Sequence, residues 1–165
     1  MKRSVRRATA VIALVVLSVL VWAPIAQAAG IWDPNDVRGR LDIRWIGVRY
    51  TQDGDAILTV TLYDGFRTSA LPKKSTVFDP NALAVYLDEH TQGYFFRKHG
   101  DIRLSFGDHA SNCCSIYGVQ RPNATTLEVR YEPIDESDPG FRVYGASTFG
   151  RARDETGTFR IGPPP

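Results

Sequence analysis

The sequence is poor in cysteine and has no surplus of positive charge beyond its first 28 residues. Two cysteines among 165 residues exclude a disulfide-dense miniature scaffold and a four-cysteine zinc site. Residues 29–165 hold 16 basic and 18 acidic residues, because four basic residues and no acid lie before them. A domain without excess Lys and Arg lacks the charge that neutralises phosphates, so we expect no nucleic-acid partner.

Sequence motifs of common catalytic and metal sites are also missing. The chain has no Gly-x-Ser-x-Gly elbow, no glycine-rich phosphate loop and no dinucleotide fingerprint. The three histidines, His90, His99 and His109, are spaced more widely than the close pairs typical of zinc ligands. We therefore expect no enzyme, no cofactor and no metal ligand.

Two acidic stretches fit solvated loops better than calcium sites. Asp53 and Asp55 flank Gly54 in a hairpin turn and lack the distal ligands of an EF-hand loop. A second acidic cluster, within residues 135–138, is also interpreted as a solvated loop.

The first 28 residues have the three parts of a secretory signal peptide. A basic start precedes an uncharged apolar stretch over residues 8–23, and small residues follow at Ala26 and Ala28. We expect cleavage between Ala28 and Ala29, and a protein secreted to the extracellular space or cell envelope. The alternative is a retained leader, which would be the protein's only link to a membrane; its apolar stretch is short for a spanning helix.

Residues 29–165 show the alternation of apolar side chains that is typical of β-strands. Asp53-Gly54 and His99-Gly100 predict hairpin turns, a slip in the alternation predicts a bulge near residues 45–47, and no long segment has helical spacing. The predicted strands lie in residues 41–50, 56–63, 83–87, 94–98, 102–106, 116–119, 127–131, 141–148 and 158–161. Eight or nine such strands predict one all-β domain, a two-sheet antiparallel sandwich like a jelly roll.

Cys113 and Cys114 are adjacent in the chain, which is unusual. Their Cα atoms must lie about 3.8 Å apart, below the usual span of a disulfide. Three alternatives remain: a structural role as a strained vicinal bridge or as thiols, a bridge to another chain, and a redox or ligand-gating switch.

The number of aromatic residues, 11% of the chain, exceeds what one core face needs. Some rings must lie on the surface, where a sugar ring can stack on them. We expect a monomeric, non-catalytic binding module for an envelope glycan or protein. The alternative is a secreted hydrolase whose carboxylates come from Asp88, Glu89, Asp108 or Glu128.

The segment Asp33-Pro34-Asn35-Asp36-Val37-Arg38-Gly39-Arg40-Leu41-Asp42-Ile43-Arg44 resembles a group of uncharacterised secreted proteins of high-GC Gram-positive bacteria. More remotely, residues 33–105 resemble the DOMON and family-9 carbohydrate-binding sandwiches. The resemblance implies a jelly-roll sandwich that binds sugar or haem or interacts with proteins. Two departures limit it: residues 88–93 lack the Asp- and Gly-rich loop of many relatives, and Met1 in the leader is the only methionine available for haem.

Overall fold

The computed structural model describes residues 28–36, 39–74, 81–87, 91–106, 115–132 and 141–162. These residues form eleven β-strands and a 3-10 turn at Thr68–Ala70, with no α-helix. The strands are β1 Ala28–Trp32, β2 Ile43–Tyr50, β3 Ala56–Leu62, β4 Leu83–Leu87, β5 Thr91–Lys98, β6 Asp101–Phe106, β7 Ser115–Gln120, β8 Thr126–Glu132, β9 Phe141–Phe149, β10 Ala152–Glu155 and β11 Phe159–Ile161.

The strands form two sheets, and every pairing within them is antiparallel. Sheet A has the order β1-β2-β3-β8-β7, and sheet B has the order β10-β9-β4-β5-β6 with β11 also beside β9. The two sheets pack face to face, which confirms the predicted two-sheet antiparallel sandwich. In each sheet one pairing, β3 with β8 or β4 with β9, joins strands that are distant in the sequence.

Both predicted hairpin turns are confirmed. Gly54 has a φ of +86° between β2 and β3, and the N–H of Thr51 donates to the carbonyl oxygen of Asp55 at 2.7 Å. His99 and Gly100 have φ angles of 54° and 94° between β5 and β6. Two successive positive φ angles produce the twist that a two-residue hairpin needs.

Alternating apolar residues bury one face of each central strand. On β3, Leu58, Val60 and Leu62 are at most 1% exposed, while the residues between them are half-buried. Inner residues are also buried on β8, beside β3 in sheet A, and on β4, in sheet B: Leu127, Val129, Tyr131, Leu83, Val85 and Leu87. Removing this apolar surface from water is the main stabilising contribution, about 25 cal/mol per Å².

Two strands were not predicted from the alternation. β1 begins at Ala28, on the predicted leader boundary, and β10 has the sequence Ala-Arg-Asp-Glu, without apolar alternation. The predicted bulge is present but lies one step earlier, where the register with β3 shifts between Ile43 and Trp45. None of the described residues belongs to a helix long and apolar enough to cross a membrane.

Candidate functional site

Four carboxylates converge where the end of β1, the start of β2 and β10 meet. Asp33 follows β1, Asp36 lies three residues later, Asp42 precedes β2 and Asp154 lies on β10. One carboxylate oxygen from each lies within 4.8 Å of the others. We call this group the carboxylate cluster.

Hydrogen bonds to backbone atoms hold Asp33 and Asp42 in place. The N–H of Asp33 donates to the carbonyl oxygen of Arg44 at 3.0 Å, and the hydroxyl of Tyr63 donates to the carbonyl oxygen of Asp33 at 2.6 Å. The N–H of Tyr63 donates to the carbonyl oxygen of Asp42 at 3.0 Å. These bonds fix the backbone of Asp33, after β1, and of Asp42, before β2.

Three of the four carboxylates are buried. Asp33, Asp42 and Asp154 are 7%, 3% and 4% exposed, whereas Asp36 is exposed. Asp154 Oδ2 accepts a hydrogen bond from the N–H of Ile43, but Asp33 Oδ2 and Asp42 Oδ1 have no hydrogen-bond partner in the described structure. Most buried carboxylate oxygens have such partners, so these two atoms need an explanation.

The electrostatics of the cluster disfavour its negative charges. Burial, then the charge of Asp154 and a hydrogen bond to its carboxylate, raise the pKa of Asp33 to about 6. Burial and the charge of Asp154 likewise raise the pKa of Asp42 to about 6. Burial also raises the pKa of Asp154, although the N–H of Ile43 favours its charged form.

No basic side chain offsets these charges within the described ranges. The salt bridges found there join Arg103, Arg130 and Arg153 to Asp53, Asp55, Asp101 and Glu155. The cluster therefore presents hard oxygen donors and uncompensated negative charge, the donor set that binds hard divalent cations.

An exposed aromatic surface adjoins the carboxylate cluster. Trp32 is 66% exposed, and its ring centroid lies 6.3 Å from that of Trp45 at an angle of 51°. The guanidinium carbon of Arg44 lies 5.3 Å from the Trp32 ring centroid and 6.0 Å from that of Tyr63. We call Trp32, Arg44, Trp45 and Tyr63 the aromatic patch.

Strand register places both tryptophans on the outer face of sheet A. Trp32 pairs with Trp45, and the glycines Gly30 and Gly47 pair two residues along. A Cβ at Gly47 would lie 2.2 Å from Cζ2 of Trp45, so the indole lies directly against the backbone of this glycine pair. A depression of about 270 Å³ lies beside the indole over residues of β1, β2 and β3.

The aromatic patch and the carboxylate cluster share one corner of the sandwich. Trp32 directly precedes Asp33, and the hydroxyl of Tyr63 reaches the backbone of Asp33. The bulge at Arg44 lies between the carboxylate cluster and the tryptophans of the aromatic patch. On one side of it Ile43 is buried, and on the other side Trp45 is half-buried on the outer face of sheet A.

The other predicted site residues lie elsewhere. Ala28 and Ala29 lie in β1, opposite Arg49 and Val48. Glu128 lies on β8 between Thr59 and Gln120 of the neighbouring strands, away from the cluster. Cys113, Cys114, His90, His109, Asp88, Glu89, Asp108, Asp135, Glu136 and Asp138 lie outside the described residues.

Asp53 and Asp55 belong to an ion pair on the β2–β3 hairpin. Arg130 Nε donates to Asp55 Oδ2 at 2.7 Å, and Arg130 Nη2 lies 3.8 Å from Asp53 Oδ2. His99 occupies the β5–β6 turn.

Sequence reasoning did not assign any of the four clustered aspartates to a site. The segment that carries the family resemblance contains Asp33, Asp36 and Asp42. Three aspartates just before a strand were a signal from which a site could have been predicted. Asp154 lies more than a hundred residues away and carried no such signal. The sequence matches no protein-family model and no curated protein.

Proposed function

We propose that this protein is an exported, non-catalytic binding module that holds a glycan of the cell envelope or extracellular space on its aromatic patch. The observation that carries the proposal is Trp32, which is 66% exposed beside a second tryptophan. Covering a large apolar ring removes its surface from water, which favours the binding of a ligand there.

The chemistry of the patch suits a sugar. The apolar C–H face of a pyranose ring can lie against an indole, while its hydroxyl groups require hydrogen-bond partners at the rim. The guanidinium of Arg44 lies over Trp32 and offers hydrogen-bond donors there. The indole of Trp45, fixed against Gly30 and Gly47, adds a second rigid surface beside the 270 Å³ depression.

A hydrolase fits these observations less well than a binding module. Glycoside hydrolysis uses two carboxyl groups that flank an accessible bond, about 5–9.5 Å apart. In the carboxylate cluster only Asp36 is exposed. Glu128, named above for the hydrolase alternative, lies between Thr59 and Gln120 of the neighbouring strands, and neither of these is a carboxylate.

A protein ligand is the second candidate. Tryptophan and arginine are enriched among the residues that dominate protein–protein binding energy, and here the guanidinium of Arg44 lies over the ring of Trp32. The patch has only a few residues, which favours a glycan, since a standard protein interface uses about 20–30 residues on each partner.

A glycan array with protein purified after expression of the full chain tests the proposal. Trp32→Ala is the test variant, and Tyr117→Ala is its matched control, because Tyr117 is 59% exposed and lies on β7 at the opposite edge of the same sheet. Arg130 also lies 5.8 Å from the Tyr117 ring centroid, as Arg44 lies over Trp32.

We expect the wild type and Tyr117→Ala to bind the same glycans. Trp32→Ala should bind them at least about tenfold more weakly, which corresponds to about 1.4 kcal/mol. Equal binding by Trp32→Ala, or no glycan bound by any form, would refute the proposal. Binding to a glycan-free envelope protein that depends on Trp32 would instead favour the second candidate.

A further inference from the structure

We infer that Asp33, Asp36, Asp42 and Asp154 form a binding site for a divalent cation, and that calcium is the ion it prefers. One carboxylate oxygen from each of the four residues lies within 4.8 Å of the others. Two ligands on opposite sides of a calcium ion are separated by about 4.6–5.2 Å, twice the usual Ca–O distance. One ion can therefore contact the whole cluster.

The unpartnered oxygens are the independent observation that points to a ligand. Asp33 Oδ2 and Asp42 Oδ1 are buried without a hydrogen-bond partner in the described structure, on side chains that are 7% and 3% exposed. A buried carboxylate oxygen without a partner is strongly destabilising. A cation between the carboxylates would coordinate oxygens that no protein donor satisfies.

A shared proton explains the arrangement less completely. A proton between Asp33 and Asp154 would neutralise one charge and satisfy one pair of oxygens. It would leave Asp42 Oδ1 without a partner and the other negative charges close together. A divalent ion would both coordinate the unpartnered oxygen and offset the negative charges, since it attracts every carboxylate in the cluster.

The chemistry of the donors selects the class of ion. The cluster contains carboxylates and neither thiolate nor imidazole, which disfavours zinc and other ions that prefer sulfur and nitrogen. Magnesium usually keeps several waters and uses one or two carboxylates, whereas calcium accepts six to eight oxygens in flexible geometry. Four carboxylates, of which the exposed Asp36 borders solvent, fit calcium.

Such an ion would tie the two sheets together. Asp33 and Asp42 belong to the β1–β2 side of sheet A, whereas Asp154 lies on β10 of sheet B. A ligand that binds only the folded arrangement stabilises it in proportion to the logarithm of its concentration. The cation is therefore expected to raise the melting temperature of the protein.

The test uses protein purified after expression of the full chain, with bound ions removed by a chelator. Terbium serves as the probe, since Trp32 beside Asp33 can sensitise its luminescence, and calcium or magnesium is then added as competitor. Thermal unfolding is followed in parallel with chelator, calcium or magnesium. The variants are Asp42→Asn, Asp36→Asn and the control Asp101→Asn, whose carboxylate is exposed and lies in β6.

We expect calcium to displace terbium at or below the 10⁻⁴–10⁻³ M range of extracellular calcium modules, to do so about tenfold better than magnesium, and to raise the melting temperature. Asp42→Asn and Asp36→Asn should each weaken calcium binding at least about tenfold, and Asp101→Asn should leave it unchanged.

Asp36→Asn keeps the test decisive if Asp42→Asn does not fold, because Asp36 is exposed. Unchanged calcium binding in Asp36→Asn, or no calcium effect on luminescence and melting, would overturn the cation site. Equal affinity for magnesium would overturn the assignment to calcium.

Discussion

Asp154 Oδ2, on β10, accepts a hydrogen bond of 2.8 Å from the backbone N–H of Ile43, on β2. The two residues are 111 positions apart and belong to different sheets. Close by, the hydroxyl of Ser147 on β9 donates to the carbonyl oxygen of Leu41 at 2.5 Å. These two bonds join the sheets with polar contacts at the same corner as the carboxylate cluster.

The Ser147 bond leads to a test of this corner that does not involve a carboxylate. Ser147 is 4% exposed, so Ser147→Ala leaves the carbonyl oxygen of Leu41 buried without this donor. We expect the free energy of unfolding to fall by about 1–3 kcal/mol, the cost of an unsatisfied buried polar group. Urea denaturation followed by tryptophan fluorescence measures the change.

Ser105→Ala is the matched control for that substitution. The hydroxyl of Ser105 makes only a long bond of 3.4 Å, to the carbonyl oxygen of the adjacent residue Phe106. Its removal should change the free energy of unfolding by less than about 0.5 kcal/mol. Equal effects of the two substitutions would contradict a specific role for the Ser147 bond.

The sequence predicted the parts of the fold that local patterns determine. Alternation predicted β3, β4 and β8, because each buries every second residue against the opposite sheet. The Asp53-Gly54 and His99-Gly100 turns were predicted because their positive φ angles favour such residues locally. β1 was missed because the predicted leader boundary cuts through its start at Ala28.

The carboxylate cluster was not predicted because long-range packing creates it. In the alternation, Asp42 reads as a solvent-facing residue between Leu41 and Ile43, yet it is 3% exposed. The register shift after Ile43 and the approach of β10 bury it. Asp154 lies in a short charged strand, and no local pattern indicates that its side chain is buried.

The first residue of the exported protein tests the predicted leader. Cleavage after Ala28 would remove one register pair of β1, Ala28 with Arg49, and would leave the pairs from Ala29 to Trp32 intact. We therefore expect a folded product that begins at Ala29. N-terminal sequencing of protein from the culture medium measures this, and a membrane-bound product that begins at Met1 would contradict it.

Tyr94 should make stability depend on alkaline pH. Burial, then the charge of Tyr86, raise the pKa of Tyr94 to about 12 from 10.0, so the folded state keeps a proton that the unfolded state loses. Because the folded pKa is the higher one, stability is retained below about pH 10 and falls as the pH rises toward 12. By about pH 11 this residue should lower the free energy of unfolding by about 1 kcal/mol.

Tyr94→Phe provides the comparison. The substitution removes the titrating hydroxyl and its 2.6 Å hydrogen bond to Gln92 Oε1, and it preserves the ring. Urea midpoints at about pH 9 and about pH 11 should therefore differ less in the variant than in the wild type. Part of the dependence should persist, because burial also raises the pKa of Tyr144. An identical pH dependence in both proteins would refute the prediction.

Gly47→Ala should displace the indole of Trp45. A Cβ at this position would lie 2.2 Å from Cζ2 and 2.3 Å from Cη2 of Trp45, and 2.9 Å from the carbonyl oxygen of Ala29. Since backbone lies on one side and a rigid ring on the other, the ring must move into solvent. We expect a red-shifted tryptophan emission, a loss of about 1–3 kcal/mol in stability and weaker glycan binding. Gly118→Ala on β7 is the control, because no atom of the described residues lies within 4 Å of a Cβ built there. If Gly47→Ala left both emission and binding like those of Gly118→Ala, the glycine pair would not be what holds Trp45 in the aromatic patch.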